Sequence, residues 1–311
     1  MRSNPIASPV RSPLRSRVLV ATGCAVPLLL VGGWGGWTAL EPRPDEHFEV
    51  AAVINGQTRQ IQIEAFHAVG GDGSAVVLVH GVEGANRFRR SRFRVARDLA
   101  RQGHSVYVVH YFDAVDYDDL WQFTADGRLD TRAIEEACLR DSEHWIAAVV
   151  ATVTQLAKRP EVDSRRIAIS GYSLGGFIAL TAAQQALASD TISDVRAVVV
   201  NWGAKFATTD FTPGFPPTLF VHGEHDEIVP IQSARETIAI LHAVQADTRL
   251  HVVEGAGHLA RSPEADKAIR DFLAEKLAPP DEACLSASCE SWLGNHWPHD
   301  RHFIAPHMPR F

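Results

Sequence analysis

Ile167-Ala168-Ile169-Ser170-Gly171-Tyr172-Ser173-Leu174-Gly175-Gly176-Phe177-Ile178-Ala179-Leu180 is the stretch whose reading decides this chain. Its opening residues are apolar and β-forming, and its end runs on as helix-forming sequence through Ala188. The pattern predicts a buried strand, a sharp turn at Ser173 and a helix leaving that turn at once. Gly171 and Gly175 suit a corner where strand and helix pass so closely that a side chain would collide. Such a corner lifts the serine oxygen clear of the sheet and points unpaired helix N–H groups at whatever it attacks. Gly-x-Ser-x-Gly alone occurs often by chance; bounded by strand and helix, and extended by Gly176, it is specific. Ser173 is the candidate nucleophile.

A serine hydroxyl attacks poorly near neutral pH, so it needs a base and a group to orient that base. Pro217-Thr218-Leu219-Phe220-Val221 leads into His222-Gly223-Glu224-His225-Asp226-Glu227-Ile228-Val229-Pro230. Thr248-Arg249-Leu250-His251-Val252-Val253 leads into Glu254-Gly255-Ala256-Gly257-His258. Both candidates therefore stand in loops after strands, in the order serine, acid, histidine. Asp226 is the expected acid; Glu224 and Glu227 are alternatives, and a plain cap for the helix near Ile231 is the structural reading. His258 is the expected base, with His222 and His225 as alternatives.

Ala75-Val76-Val77-Leu78-Val79 marks another buried strand, followed by His80-Gly81-Val82-Glu83-Gly84. Acyl transfer builds negative charge on a carbonyl oxygen, and fixed amide donors lower that barrier by roughly 3–4 kcal/mol each. The expected donors are the N–H of Leu174, next after the serine, and the N–H of Val82, on a loop that Gly81 lets bend inward. An ordinary strand-to-helix turn is the plainer reading of this loop.

His80-Gly81-x-x-Gly84, Gly171-x-Ser173-x-Gly175, Gly223-x-x-Asp226-x-x-Val229-Pro230 and Gly257-His258 together resemble the α/β-hydrolases. Finer texture is similar to the dienelactone hydrolase-like family: Gly103-His104-Ser105-Val106-Tyr107-Val108-Val109 before Tyr111-Phe112-Asp113, Asp163-Ser164-Arg165-Arg166-Ile167, and Gly255-Ala256-Gly257-His258. The resemblance covers roughly residues 50–277. It implies the α/β-hydrolase fold, a mostly parallel twisted sheet of about eight strands with helices on both faces and the site at the strands' carboxyl ends. It also implies hydrolysis of carboxylic esters or lactones. The best-known members carry a cysteine nucleophile, and a glutamate where Gly81 stands; Ser173 and Gly81 set this chain apart from them.

Apolar and polar residues alternate over 48–54 and 57–67, as an opening antiparallel pair should. Strand 75–80, a helix near 88–102, strand 105–111 and a long helix over 131–158 precede the serine corner. Strands 196–202 and 217–222, helix 231–244, strand 248–253 and helix 263–276 follow it. Strands alternating with helices predict a parallel sheet covered on both faces. Gly203 to Pro216, where a lid would be inserted, holds two prolines and no helical pattern. An open site without a large cap domain is expected, suited to compact esters or lactones rather than long acyl chains.

Residues 87–101 hold Arg87, Arg89, Arg90, Arg92, Arg94, Arg97 and Arg101. They read as a solvated face; the functional reading has one of them at the pocket mouth, gripping a substrate carboxylate. Tyr111, Phe112 and Trp202 follow strand ends, as pocket wall or as core.

A chain of 311 residues, 46% hydrophobic, suits one catalytic domain over 48–278 with a tail over 279–311. Its net charge of −7 argues against nucleic acid as a partner, because phosphate neutralisation needs a basic face. Arg2, Arg11, Arg15 and Arg17 precede an uncharged stretch from Val18 to Leu40, long enough to cross a bilayer. Residues 1–40 are expected to be an export signal or an uncleaved inner-membrane anchor, and 41–47 a linker. The catalytic domain then lies in the cell envelope or periplasm. Cys284 and Cys289 would close a small disulfide loop in that compartment, and Cys138 reads as core. His296, His299, His302 and His307 have metal binding as one reading, but their irregular spacing favours the other, part of a flexible extension.

The sequence thus points to a serine hydrolase acting on a small-molecule ester or lactone, with no metal or organic cofactor. The alternatives are a peptidase or acyltransferase using the same three side chains, and a non-catalytic envelope-binding protein on this fold. No motif encodes an oligomeric state.

Overall fold

Strand β1 (Glu46–Ile54) alternates exposed and buried positions, with Val50, Ala52 and Ile54 turned to the core. It pairs antiparallel with β2 (Gln57–Phe66), and the turn between them is Asn55-Gly56. Both turn residues have positive φ, the geometry in which a two-residue hairpin matches the twist of its strands. The computed structural model describes residues 42–116, 119–189, 195–259 and 261–279.

Six more strands complete one sheet: β3 (Ala75–Val79), β4 (Ser105–Val109), β5 (Ile167–Tyr172), β6 (Val195–Asn201), β7 (Thr218–Gly223) and β8 (Thr248–Val253). Their order is β1-β2-β4-β3-β5-β6-β7-β8. The pairs β1–β2 and β2–β4 are antiparallel, and every other pair is parallel. Every residue of β3 and β4 is buried, which is why they read as unbroken apolar runs.

Successive side chains feed two cores, one on each face. Val76, Leu78, Val106 and Val108 pack with α1 (Arg89–Arg101) and α5 (Pro263–Lys276). Val77, Val79, Tyr107 and Val109 pack with α2 (Thr131–Leu156), α3 (Leu174–Leu187) and α4 (Ile231–Ala243). The helices start where their caps dictate. Asp130 accepts from Ala133 N–H at 3.1 Å to open α2, and Ser262 accepts from Ala265 N–H at 3.0 Å to open α5.

This is the α/β-hydrolase fold the sequence predicts. Gly203 to Pro217 joins β6 to β7 without helix or strand, and the described residues form no cap domain. Two local expectations change. The strand expected over 105–111 stops at Val109, because Tyr111–Ala114 coil into a 3₁₀ turn that lets the Asp113 carboxylate accept from Gln62 N–H at 3.0 Å. The stretch read as linker joins the domain early: β1 starts at Glu46, and Arg97 grips the Asp45 carboxylate at 2.9 Å. Residues 1–40, Cys284, Cys289 and the four tail histidines lie outside the described residues. Among the described residues, no helix is long and apolar enough to cross a membrane.

Candidate active site

Ser173 takes φ 52° and ψ −120° at the corner between β5 and α3, a conformation non-glycine residues rarely adopt. Its N–H donates to Asn201 O and its carbonyl accepts from Gly176 N–H, both at 2.8 Å, and these bonds hold the corner against its strain. A Cβ on Gly171 would lie 2.0 Å from Gly175 O, and one on Gly175 would lie 2.4 Å from His80 O. The corner is wedged between its own helix and the loop after β3.

Three later pieces of chain converge on it. His258, after β8, brings Nε2 to 2.9 Å from Ser173 Oγ and Nδ1 to 2.7 Å from Asp226 Oδ2. Asp226, after β7, accepts on Oδ1 from the N–H groups of Ile228 and Val229, both at 2.9 Å. Burial opposes the charge on Asp226, but hydrogen bonds from His222 and His258 outweigh it and hold the carboxyl far below the usual carboxylate range. The two loops meet backbone to backbone: His225 N–H donates to Ala256 O at 2.8 Å, and a Cβ on Gly223 would lie 2.2 Å from Gly257 O.

The alternatives are placed elsewhere. Glu224 accepts from Gly255 N–H at 2.9 Å, Glu227 is exposed, and the His225 side chain is 69% exposed. His222 is fully buried on the far side of Asp226, away from the serine.

Val82 and Leu174 flank Ser173 in the wall of one hollow, and neither N–H has an acceptor among the described residues. The groups around Val82 are tied down. Gly81 N–H donates to Glu83 Oε1 at 3.2 Å. Gly81 O accepts from His80 Nδ1 at 2.8 Å, from Gly84 N–H at 3.2 Å and from the Tyr111 hydroxyl at 3.4 Å. The Gly81 carbonyl and the Val82 N–H belong to one planar trans peptide, so holding the carbonyl turns the N–H the opposite way. Burial, helped by the Arg92 charge, keeps the His80 pKa well below the histidine range, and the ring is neutral.

Of the seven arginines, Arg92 departs from a solvated face. Its side chain is 5% exposed, pairs with Glu83 Oε1 at 2.7 Å and donates to Gly84 O and Ala85 O. Arg92 lines a hollow beside Ser173, and so do Trp202 and Arg261. Sequence reasoning missed Arg261. Cys138, read as core, does pack partly buried against the main core, and it also lines the hollow of Val82 and Leu174. Tyr111 and Phe112 sit behind the site instead of lining it; Tyr111 stacks on His80 at 4.1 Å.

Two solved structures match the chain across nearly their whole length. A dienelactone hydrolase-like promiscuous phosphotriesterase from metagenomic libraries has 19% identity and a TM-score of 0.57, over 74% of this chain and 98% of its own. A propionate-bound thermophilic esterase from Thermogutta terrifontis has 18% identity and a TM-score of 0.53, over 78% of this chain and 99% of its own. At such identities the likeness shows the fold. A search of curated proteins finds no match. The sequence profile of the dienelactone hydrolase family matches residues 63–280, a span that contains Val82, Ser173, Leu174, Asp226 and His258. The chain belongs to the dienelactone hydrolase family and is, by class, a carboxylic ester hydrolase.

Proposed function

We propose that this protein is a serine hydrolase that cleaves compact carboxylic esters or lactones through an acyl-enzyme. One observation supports it above the rest: an unbroken hydrogen-bonded line from Ser173 Oγ through the His258 ring to the Asp226 carboxylate. His258 Nε2 takes the serine proton as Oγ adds to the carbonyl carbon, while Asp226 holds Nδ1–H and balances the ring's charge. The N–H groups of Val82 and Leu174 receive the oxyanion, and losing one such donor costs about 10²–10³ in kcat. The leaving oxygen departs with the proton from His258. Water, deprotonated by the same ring, then frees the acid and restores Ser173. This chemistry calls for no metal or organic cofactor. Compact substrates suit a site over which the described residues fold no cap domain.

The test is a fluorophosphonate probe alongside p-nitrophenyl acetate turnover, with Ser173→Ala as control. Labelling at Ser173 and turnover are both expected to vanish in the variant; turnover that survives overturns the reading. A labelled acyl group passing to water, not to an added amine, separates a hydrolase from an acyltransferase. The envelope location rests on residues 18–40 of the sequence alone and is proposed with it; release of the full-length chain from membranes by alkaline carbonate would count against an anchor.

A further inference from the structure

Ser173 stands on a ridge between two hollows that share no other wall residue. The larger, about 290 Å³, has walls from Val82, Leu174, Ile134, Cys138, Phe177 and Phe206. The smaller, about 180 Å³, has walls from Phe88, Tyr172, Trp202, Leu259, Arg92 and Arg261.

The geometry of the tetrahedral adduct tells them apart. Its carbon carries Ser173 Oγ, the oxyanion, the acyl group and the leaving oxygen. The oxyanion belongs at the N–H groups of Val82 and Leu174, and both residues line the larger hollow. The leaving oxygen must come within reach of His258 Nε2, which protonates it. Ser173 beside His258 lines both hollows, but two other neighbours line the smaller one alone: Leu259 follows His258 in the chain, and the Trp202 ring lies 6.0 Å from its ring.

A second observation singles out the smaller hollow. Among the described residues six non-glycine positions have positive φ, and four of them, Phe88, Ser173, Trp202 and Leu259, line it. In the larger hollow Ser173 alone has this conformation. Strained backbone persists where its surroundings over-determine it, and it clusters at ligand clamps.

We infer that the larger hollow receives the acyl group and the smaller, aromatic one the alcohol. The substrates are then esters of a modest apolar acid with a ring-bearing alcohol or phenol. This deepens the serine hydrolase reading and rests on it. Cys138 serves in the larger hollow as wall, not as nucleophile: burial pushes its thiol up to about 11, so it stays protonated. In the reaction the Oγ–carbon bond forms and the carbon–oxygen bond to the alcohol breaks. The serine proton leaves on that alcohol by way of His258. Water then adds, and the acid departs.

Cys138→Trp narrows the larger hollow. Ile134→Trp does so from the half-exposed side of α2, should the first variant disturb packing. Ser91→Phe narrows the smaller hollow from its exposed rim. The readouts are kcat/KM and single-turnover deacylation, on phenyl alkanoates from acetate to octanoate and on acetates from methyl to naphthyl. Both α2 variants are expected to lower hexanoate-over-acetate selectivity about tenfold or more and to slow hydrolysis of the hexanoyl-enzyme. Ser91→Phe is expected to lower naphthyl-over-methyl selectivity about fivefold, acting on acylation alone because the alcohol has gone before water attacks. If the α2 variants change alcohol selectivity instead, or depress both series equally, the assignment is overturned. If no hexanoyl adduct of Ser173 can be trapped in the unaltered enzyme, the serine reading falls and takes this assignment with it.

Discussion

His222 stands directly behind Asp226, its Nε2 3.3 Å from the same Oδ2 that His258 Nδ1 approaches at 2.7 Å. The Val229 carbonyl accepts from that Nε2 at 2.7 Å, while Val229 N–H donates to Asp226 Oδ1 at 2.9 Å. The carboxylate is thus clamped from both ends of its own turn, so the imidazole of His258 meets an acceptor that cannot swing. Replacing His222 with Leu removes one of the two hydrogen bonds that outweigh burial at Asp226. The Asp226 carboxylate, less stabilised from behind, then holds the protonated His258 ring more strongly, and the acid limb of kcat/KM, at which that ring ceases to act as base, moves to higher pH. A kcat loss of about tenfold accompanies it, the worth of one charge-assisted hydrogen bond at 1.4 kcal/mol per decade. A pH–rate profile checks this; an unmoved acid limb would show that His222 only packs.

Tyr111 acts on the other arm of the site. Its hydroxyl donates to His80 O at 3.1 Å and to Gly81 O at 3.4 Å, the latter being the carbonyl of the peptide that carries the Val82 N–H. Tyr111→Phe keeps the ring stacked on His80 and removes the hydroxyl with these bonds. The expected result is a three- to tenfold fall in kcat, about 1 kcal/mol, with KM nearly constant and the melting temperature little changed. Steady-state kinetics decide it. A loss confined to KM would place Tyr111 outside oxyanion stabilisation.

Glu83 and Arg92 form a nearly dry pair beside the serine, with side chains 11% and 5% exposed. Glu83 Oε1 also accepts from Gly81 N–H, so the pair pins the loop as well as neutralising itself. Arg92→Leu strands a carboxylate and frees the Gly84 and Ala85 carbonyls. About 3–5 kcal/mol of stability should be lost. The double variant Glu83→Gln with Arg92→Met should regain part of that, because no uncompensated charge remains although the two carbonyls stay bare. Urea unfolding measures both. A double variant no better than the single one would assign the cost to packing instead.

What the sequence makes legible follows period and position. The corner at Ser173, the strand-end placing of Asp226 and His258, and the two-faced sheet all follow from short apolar runs broken by glycines at fixed offsets. Chains crowded with one residue type hide their exception. Residues 222–227 offer two histidines, two glutamates and an aspartate, and only the depth of β7 in the sheet decides that His222 points behind the acid. Arg92 had a readable signal: it lies four and seven residues before Ala96 and Leu99, on the stripe of α1 that is buried. Arg261 and Cys138 had none. They line the hollows beside Ser173 from a loop and a helix far away in sequence, by packing that no local pattern records.

Away from the site, Arg166 ties three elements together. Its buried guanidinium donates to the Leu277 carbonyl at the end of α5, and to both the carbonyl and the carboxylate of Asp72 ahead of β3. Burial opposes the Asp72 charge, but hydrogen bonds from Arg166 and Ser74 outweigh it and bring its pKa down to about 2, from 3.8. A carboxyl with a depressed folded-state pKa stabilises the fold fully above its unfolded value and loses that contribution as pH falls through the folded one. Asp72→Asn should therefore cost stability at pH 7, and the deficit should shrink between about pH 4 and pH 2. Since the carboxylate is 45% exposed, solvent screening reduces the effect to about 1 kcal/mol. Arg166→Leu should cost more, about 3 kcal/mol, and keep most of that cost in acid, because the carbonyls it leaves bare do not titrate. Denaturant titrations of both variants from pH 7 to pH 2.5 test the pair; an Asp72→Asn deficit as large in acid as at neutrality would mean that the charge contributes nothing and the side chain acts by shape.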